Sequence, residues 1–246
     1  MAKFEHEHGV MYYEQIVGER PLLVYINGLG SDSTHFSFKS LASQLPFEQM
    51  FIDRLGAGYS DETVSERTIE QIVDELREFL QSFHTDLILV AHSIGGIYAA
   101  RLLRDLPEVK GLIAIEPTSA VIQKYDQTAP YLAMQEKFQS IVDDLHDPAW
   151  TADDLVARRY FDEERSLETL GREIDLAVAN VISNRDLQLT NEPILLFTQA
   201  YRQAEFEESE YATADMTLKI FEGSHYLHWH NAPEMAREIM TWISRL

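Results

Sequence analysis

Leu87-Ile88-Leu89-Val90-Ala91-His92-Ser93-Ile94-Gly95-Gly96 is the stretch whose reading decides the fold. Its first half is a continuous apolar run over 87–91, the pattern of a strand buried on both faces of a parallel sheet. A small-residue turn follows at once, and a helix is expected over 95–106. A serine at a sharp strand-to-helix turn projects its hydroxyl from the sheet edge, and small neighbours let the helix pack close to the strand. The next backbone N–H, that of Ile94, then points toward an oxyanion at a helix N-terminus. The plainer reading of the same residues is a Gly-rich connection with an incidental serine.

Working outward, 10–17 reads as a strand, Gly18-Glu19-Arg20 as a turn and 21–26 as a second, buried strand. A helix is expected over 36–45, then a strand over 48–52 that ends at the turn Asp53-Arg54-Leu55-Gly56-Ala57-Gly58. Ile69, Ile72, Val73, Leu76, Phe79 and Leu80 recur at helical spacing with acids between them, the pattern of an amphipathic helix. Beyond the central stretch, strands are expected over 109–115, 194–197 and 217–221, and a last helix over 233–245. Alternation of strand and helix implies an α/β protein with a mostly parallel, doubly wound sheet. Over 117–191 the alternation stops, and Thr151-Ala152-Asp153-Asp154 and Ser166-Leu167-Glu168-Thr169 look like helix N-termini. The expected organisation is a core of 1–116 and 192–246 carrying a helical lid, 117–191, inserted over the sheet's carboxyl edge.

Composition narrows the function. With 41 acidic and 20 basic side chains the formal net charge is -21, which repels phosphate backbones and anionic lipid; neither nucleic acid nor a membrane surface is an expected partner. The absence of cysteine removes disulfides, thiolate nucleophiles and Cys-ligated metals. No apolar run is long enough to cross a bilayer, and the first eight residues contain no apolar signal segment, so a cytoplasmic location is expected. Oligomeric state leaves no mark in the sequence.

Four landmarks, in order, resemble the α/β-hydrolase family over nearly the whole chain. They are Asn27-Gly28-Leu29-Gly30 after the second strand, the turn that begins at Asp53 and runs through Tyr59-Ser60-Asp61, the serine turn at 91–96, and Gly223-Ser224-His225-Tyr226 with Pro233-Glu234 downstream. Two positions depart from the family pattern: Ala91 stands where the serine turn usually has glycine, and Asn27 where the first loop usually has histidine. The resemblance implies Ser93 as nucleophile, His225 as general base, and the backbone N–H groups of Leu29 and Ile94 as an oxyanion hole. It implies no cofactor.

Serine needs such a base, because its hydroxyl is hardly ionised at neutral pH. Of nine histidines, His6 and His8 are expected at a frayed start and His84 at the end of a surface helix. His92 is expected to point away from Ser93, and His228 and His230 to be loop or rim residues. A metal site at His225-x-x-His228-x-His230 is the rival reading, but no second cluster of ligands appears at a strand end.

The acid is the least regular feature. The family's usual position after the next-to-last strand reads Phe197-Thr198-Gln199-Ala200-Tyr201-Arg202-Gln203, where Arg202 cannot stabilise an imidazolium. Some relatives place the acid one strand earlier, which here is Glu116, at the end of Ile113-Ala114-Ile115. The alternative for Glu116 is an ion pair with a residue such as Lys124; the fallback acids are Glu205 and Glu207, which look like the solvated face of a helix. Asp53 is expected to tie down its own turn.

The expected function is hydrolysis of a small, fairly apolar ester, thioester or amide through an acyl-enzyme. C–C hydrolase, lyase or acyltransferase chemistry on the same fold is the alternative, as is a ligand-binding receptor that has lost turnover. Within the family a carboxylate at the turn serves dehalogenase and epoxide-hydrolase chemistry, and Ser93 argues against both.

Overall fold

The computed structural model describes residues 1–30, 32–139 and 146–246. Eight strands form one sheet: β1 (Ala2–His6), β2 (Gly9–Ile16), β3 (Glu19–Ile26), β4 (Phe47–Asp53), β5 (Leu87–His92), β6 (Val109–Ile115), β7 (Ile194–Thr198) and β8 (Met216–Ile220). Their spatial order is β1-β2-β4-β3-β5-β6-β7-β8. Strands β3 to β8 are mutually parallel, while β2 runs antiparallel to both β4 and β1. The chain passes from β3 to β4 on one side, then returns across β3 to β5 on the other. Such a reversal opens a crevice at the carboxyl ends of the two strands, the usual ligand site in an open α/β sheet. Here those ends carry the Asn27-Gly28 loop and Ser93.

Pleating sorts β3 onto two cores. Leu22, Val24 and Ile26 face one side, packed with α2 (Ile69–Gln81) and α3 (Gly95–Asp105). Leu23 and Tyr25 face the other, packed with α1 (Thr34–Ala42) and a C-terminal helix over Ala232–Ile243. All six apolar positions read for α2 are buried, and Thr68 and Gln71 close its N-terminus in a reciprocal capping box. Glu75, expected among its solvated acids, is buried instead against Arg67 Nη1 at 2.6 Å.

Between β6 and β7 the described residues form a short turn at Ile122–Lys124, α4 (Ala129–Gln139), α5 (Ala152–Arg159), a wide turn at Tyr160–Glu164 and α6 (Glu168–Ser183). Thr151 caps α5 reciprocally with Asp154. Ser166 Oγ accepts from the Glu168 N–H at 3.4 Å, at the start of α6. Residues 140–145 of the block expected to be helical lie outside the described residues. After β7 come α7 (Gln203–Glu207), α8 (Leu227–His230) and α9 (Ala232–Ile243).

Two expectations fail here. The N-terminus is not frayed: residues 2–6 pair with β2 in a tight hairpin, and Phe4 packs edge-on against Phe79 at 5.4 Å. The turn at 18–20 is shorter than read, because β3 already begins at Glu19.

Candidate active site

Ser93 stands between β5 and α3 with φ +53°, a left-handed conformation that costs a non-glycine residue of order 1–3 kcal/mol and persists only where the surroundings enforce it. Its N–H donates to Ile115 O at 3.2 Å, and its carbonyl accepts from Gly96 and Thr118 at 3.0 and 2.9 Å. Glycine at the next two positions is a steric requirement. A Cβ on Gly95 would lie 2.6 Å from Asn27 O, and one on Gly96 would lie 2.6 Å from Pro117 Cβ. Ala91, in place of the usual glycine, is simply the last fully buried small residue of β5.

At the end of the neighbouring strand, Glu116 is also left-handed, with φ +44°, and is fully buried. One carboxylate oxygen accepts from Thr198 Oγ1 at 2.7 Å and the Gln199 N–H at 2.8 Å. The other accepts from Arg202 Nη1 at 3.1 Å and lies 3.6 Å from His225 Nδ1. Burial pushes this carboxyl upward, but Arg202, His225 and Thr198 outweigh it and hold it at about 2. The 3.6 Å separation is an ion-pair distance, longer than a hydrogen bond. Contacts of this kind tighten as the imidazole takes up charge.

Arg202 therefore occupies the position where an acid was sought and does the opposite job. It is buried, bonds Glu116, Glu205 and the Pro117 carbonyl, and neutralises two buried carboxylates at once. Lys124 pairs with Glu208 rather than with Glu116. Glu205 is no solvated residue either; it is fully buried on Arg202 and Ser119, whereas Glu207 is exposed as expected. Arg202→Met leaves Glu116 and Glu205 buried without a counter-charge. A loss of about 3–5 kcal/mol is expected, read from chemical denaturation at neutral pH.

His225 sits half-buried in the loop between β8 and α8. Two further histidines lie beneath it, and one of them, His228, is not the loop or rim residue expected. His92 is buried and places Nε2 3.0 Å from the His225 carbonyl, so that nitrogen carries the proton. His228 is fully buried with Nε2 2.9 Å from Ser37 O. Burial keeps His92 well below its usual range and brings His228 down to about 3, so both are neutral props under the loop. His230 borders the cavity described below. A histidine directly before the serine, on a strand end, was the available signal for His92; its orientation depends on a loop 133 residues away.

The first loop is fastened by its own side chain. Asn27 Oδ1 accepts from the Gly28 N–H at 2.8 Å, and Asn27 Nδ2 donates to Ser37 Oγ at 2.8 Å. A Cβ on Gly28 would lie 3.0 Å from Ser93 Cβ, so this loop abuts the serine. Leu29 follows it on the surface, and Ile94 is the last residue before α3. Asp53 does tie down its turn: it accepts from the Thr34 N–H at the start of α1 and from the Tyr59 N–H, at 2.7 and 3.0 Å. Burial raises its carboxyl to about 6.

Ser93 and His225 border one cavity of about 670 Å³, whose walls include Tyr131 and Met134 of α4 and Gln199 and Tyr201 beyond β7. That is the size of a small-molecule site. Among the described residues, no helix is long and apolar enough to cross a membrane.

The alpha/beta hydrolase family matches residues 23–238, and the chain belongs to that family. Over 98 residues, 38% of this chain and 30% of the relative, it is 31% identical to Uncharacterized protein YbdG of Bacillus subtilis (strain 168), so it spans under a third of that protein's length. Solved structures of the same fold include Smu.1393c of Streptococcus mutans, with TM-score 0.71 and 20% identity over 100% of this chain and 99% of that one. The epoxide hydrolase of Bacillus megaterium gives TM-score 0.76 and 14% identity over 99% and 100%. The ancestral haloalkane dehalogenase AncHLD2 gives 0.72 and 18% over 100% and 99%.

Proposed function

We propose that the protein is a serine hydrolase that cleaves small, fairly apolar esters, thioesters or amides through an acyl-enzyme. The observation that carries this reading is the convergence of Ser93, on a strained turn, and His225, paired with ionised Glu116, on one cavity. In the proposed cycle Ser93 Oγ attacks the carbonyl carbon while His225 takes the hydroxyl proton and later returns it to the leaving group. Glu116 holds the imidazole and offsets the charge it acquires. The N–H groups of Leu29 and Ile94 receive the oxyanion. Water, deprotonated by His225, then attacks the acyl-enzyme and releases the acid, restoring the serine. The resemblance assigns epoxide and haloalkane chemistry to a carboxylate at the turn where this chain has Ser93. Two departures from the family pattern, Asn27 for histidine and the displaced acid, would suit a receptor that has lost turnover, but both have local accounts: Asn27 braces its loop, and Glu116 lies 3.6 Å from the histidine.

The helices between β6 and β7 supply the proposed lid over residues 117–191, but its two halves differ in how they are held. Asn180 of α6 accepts from the Ile69 N–H at 2.8 Å and donates to Arg67 O at 3.1 Å, and Asn184 donates to Ile97 O at 3.0 Å. These buried bonds rivet α6 to the core, whereas α4 contributes Tyr131 and Met134 to the cavity wall. Acyl specificity is accordingly assigned to α4. A p-nitrophenyl ester series from acetate to decanoate tests both points: turnover is expected to peak at short to medium chains, and Met134→Trp is expected to move the peak to shorter ones. No turnover of any ester, thioester or anilide in the panel would count against the hydrolase reading.

A further inference from the structure

Arg54 is a buried cation that the proposed cycle does not use. Its guanidinium donates through Nη1 to Asn27 O at 2.6 Å and through Nη2 to Gly28 O at 3.2 Å. Nη2 also donates to Glu173 Oε1 of α6 at 2.8 Å. A charged fork on two successive carbonyls fixes the rotation of the peptide planes they belong to.

The second of those planes matters for chemistry. Among the described residues the only cis peptide is Arg20–Pro21, so the Gly28–Leu29 peptide is trans, and its N–H points opposite to its C=O. With Gly28 O held on Arg54, the Leu29 N–H is turned to the other side of the loop. The N–H just before it, that of Gly28, is already given to Asn27 Oδ1. The same loop lies so close to the serine that a Cβ on Gly28 would come within 3.0 Å of Ser93 Cβ. Glu173 holds the guanidinium from behind, itself braced by the Tyr98 hydroxyl at 3.0 Å.

We infer that Arg54 is the positioning residue of the oxyanion hole: it pins the Gly28–Leu29 peptide so that the Leu29 N–H meets the developing charge, and Glu173 anchors it from α6. This rests on the serine-hydrolase reading above. Arg54 touches no reacting atom, so its loss acts through the Leu29 donor. Removing one oxyanion donor typically lowers turnover by about 10²–10³. Substrate binding, which precedes the charge, changes far less.

The test compares wild type, Glu173→Gln, Arg54→Lys and the double variant Arg54→Met/Glu173→Gln, each checked by thermal melting. The double variant removes the fork without leaving a buried lone carboxylate. The readouts are kcat and KM for p-nitrophenyl butyrate and the Ki of an alkyl trifluoromethyl ketone, whose hemiketal on serine carries an oxyanion. The double variant is expected to lose about 10²-fold in kcat with KM within threefold (~3), and to weaken the ketone in parallel with kcat. Glu173→Gln is expected to melt lower, because the buried guanidinium loses its counter-charge, and to lose clearly less kcat than the double variant, because the fork still holds both carbonyls. Arg54→Lys, with the charge but one point of attachment, falls between them and decides the matter should the double variant not fold. Folded variants at Arg54 whose kcat and ketone affinity match those of Glu173→Gln would show Arg54 to be structural only. A wild type that neither turns over the ester nor binds the ketone would instead overturn the hydrolase reading itself.

Discussion

Ser93→Ala is expected to lower kcat for p-nitrophenyl butyrate by about 10⁵–10⁶-fold, leaving KM and the melting temperature close to wild type. The size follows from the proposed mechanism. Without Oγ there is no acyl-enzyme, and the residual rate comes only from water attacking a carbonyl polarised by the Leu29 and Ile94 amides. The structural cost is small, because Ser93 is held by backbone bonds to Ile115, Gly96 and Thr118 that alanine retains. Alanine at φ +53° carries the same kind of strain as serine. Steady-state kinetics on both proteins, with unfolding followed in parallel, separates lost chemistry from lost fold.

The second large effect falls on the acid. Glu116→Gln is expected to reduce kcat by about 10³–10⁴-fold, since an amide can hold the imidazole but cannot balance its charge. Glu205→Gln is the informative companion. Glu205 shares Arg202 with Glu116 and is equally buried, yet its other partner is Ser119 rather than His225. Its replacement should destabilise the protein while changing kcat less than about tenfold. Comparable losses of kcat at both positions would mean that the Arg202 cluster acts as a structural block.

The pH dependence follows from the same carboxylate. Held at about 2, Glu116 is ionised throughout the working range, so its own protonation sets no limb of kcat/KM near neutral pH. For stability the direction is fixed by the lowered value. An unfolded glutamate titrates near ~4.3, so the stabilisation from the buried carboxylate is full above that pH and is lost as pH falls toward 2. Asp53, raised to about 6 by burial, contributes with the opposite sign: its part is full below the unfolded value and lost as pH rises through 6. Denaturation midpoints for Glu116→Gln and Asp53→Asn across pH 2–8 should diverge from wild type in those two windows.

Much of the fold could be read because periodicity is a local property. The 87–91 run is β5, and the six apolar positions of 69–80 are the buried face of α2, because strand and helix sort their side chains by fixed spacing. The first strand escaped that reading: Lys3 and Glu5 are exposed on a sheet edge, and only Phe4 turns toward Phe79, so its apolar signal is a single residue. The candidate serine and histidine were legible for a related reason, as each lies on a turn whose small residues are written beside it. Glu116 was legible as a strand-end acid through the resemblance, but what holds it there was not. Arg202 and Glu116 are 86 residues apart, and nothing local distinguishes an arginine that opposes a candidate acid from one that fixes it in place. His228 and Glu205 were misread alike. Polar residues of short helices look solvated until Ser37 O or Arg202 is brought against them from elsewhere in the chain.

The central claim is that Ser93 is an activated nucleophile, and intact mass after treatment with a fluorophosphonate tests it most directly. The account predicts one phosphonyl adduct on the wild type, none on Ser93→Ala, and much slower labelling of His225→Ala, since the serine then lacks its base. Labelling of Ser93→Ala at the wild-type rate, or a folded wild type that takes no adduct, would contradict it.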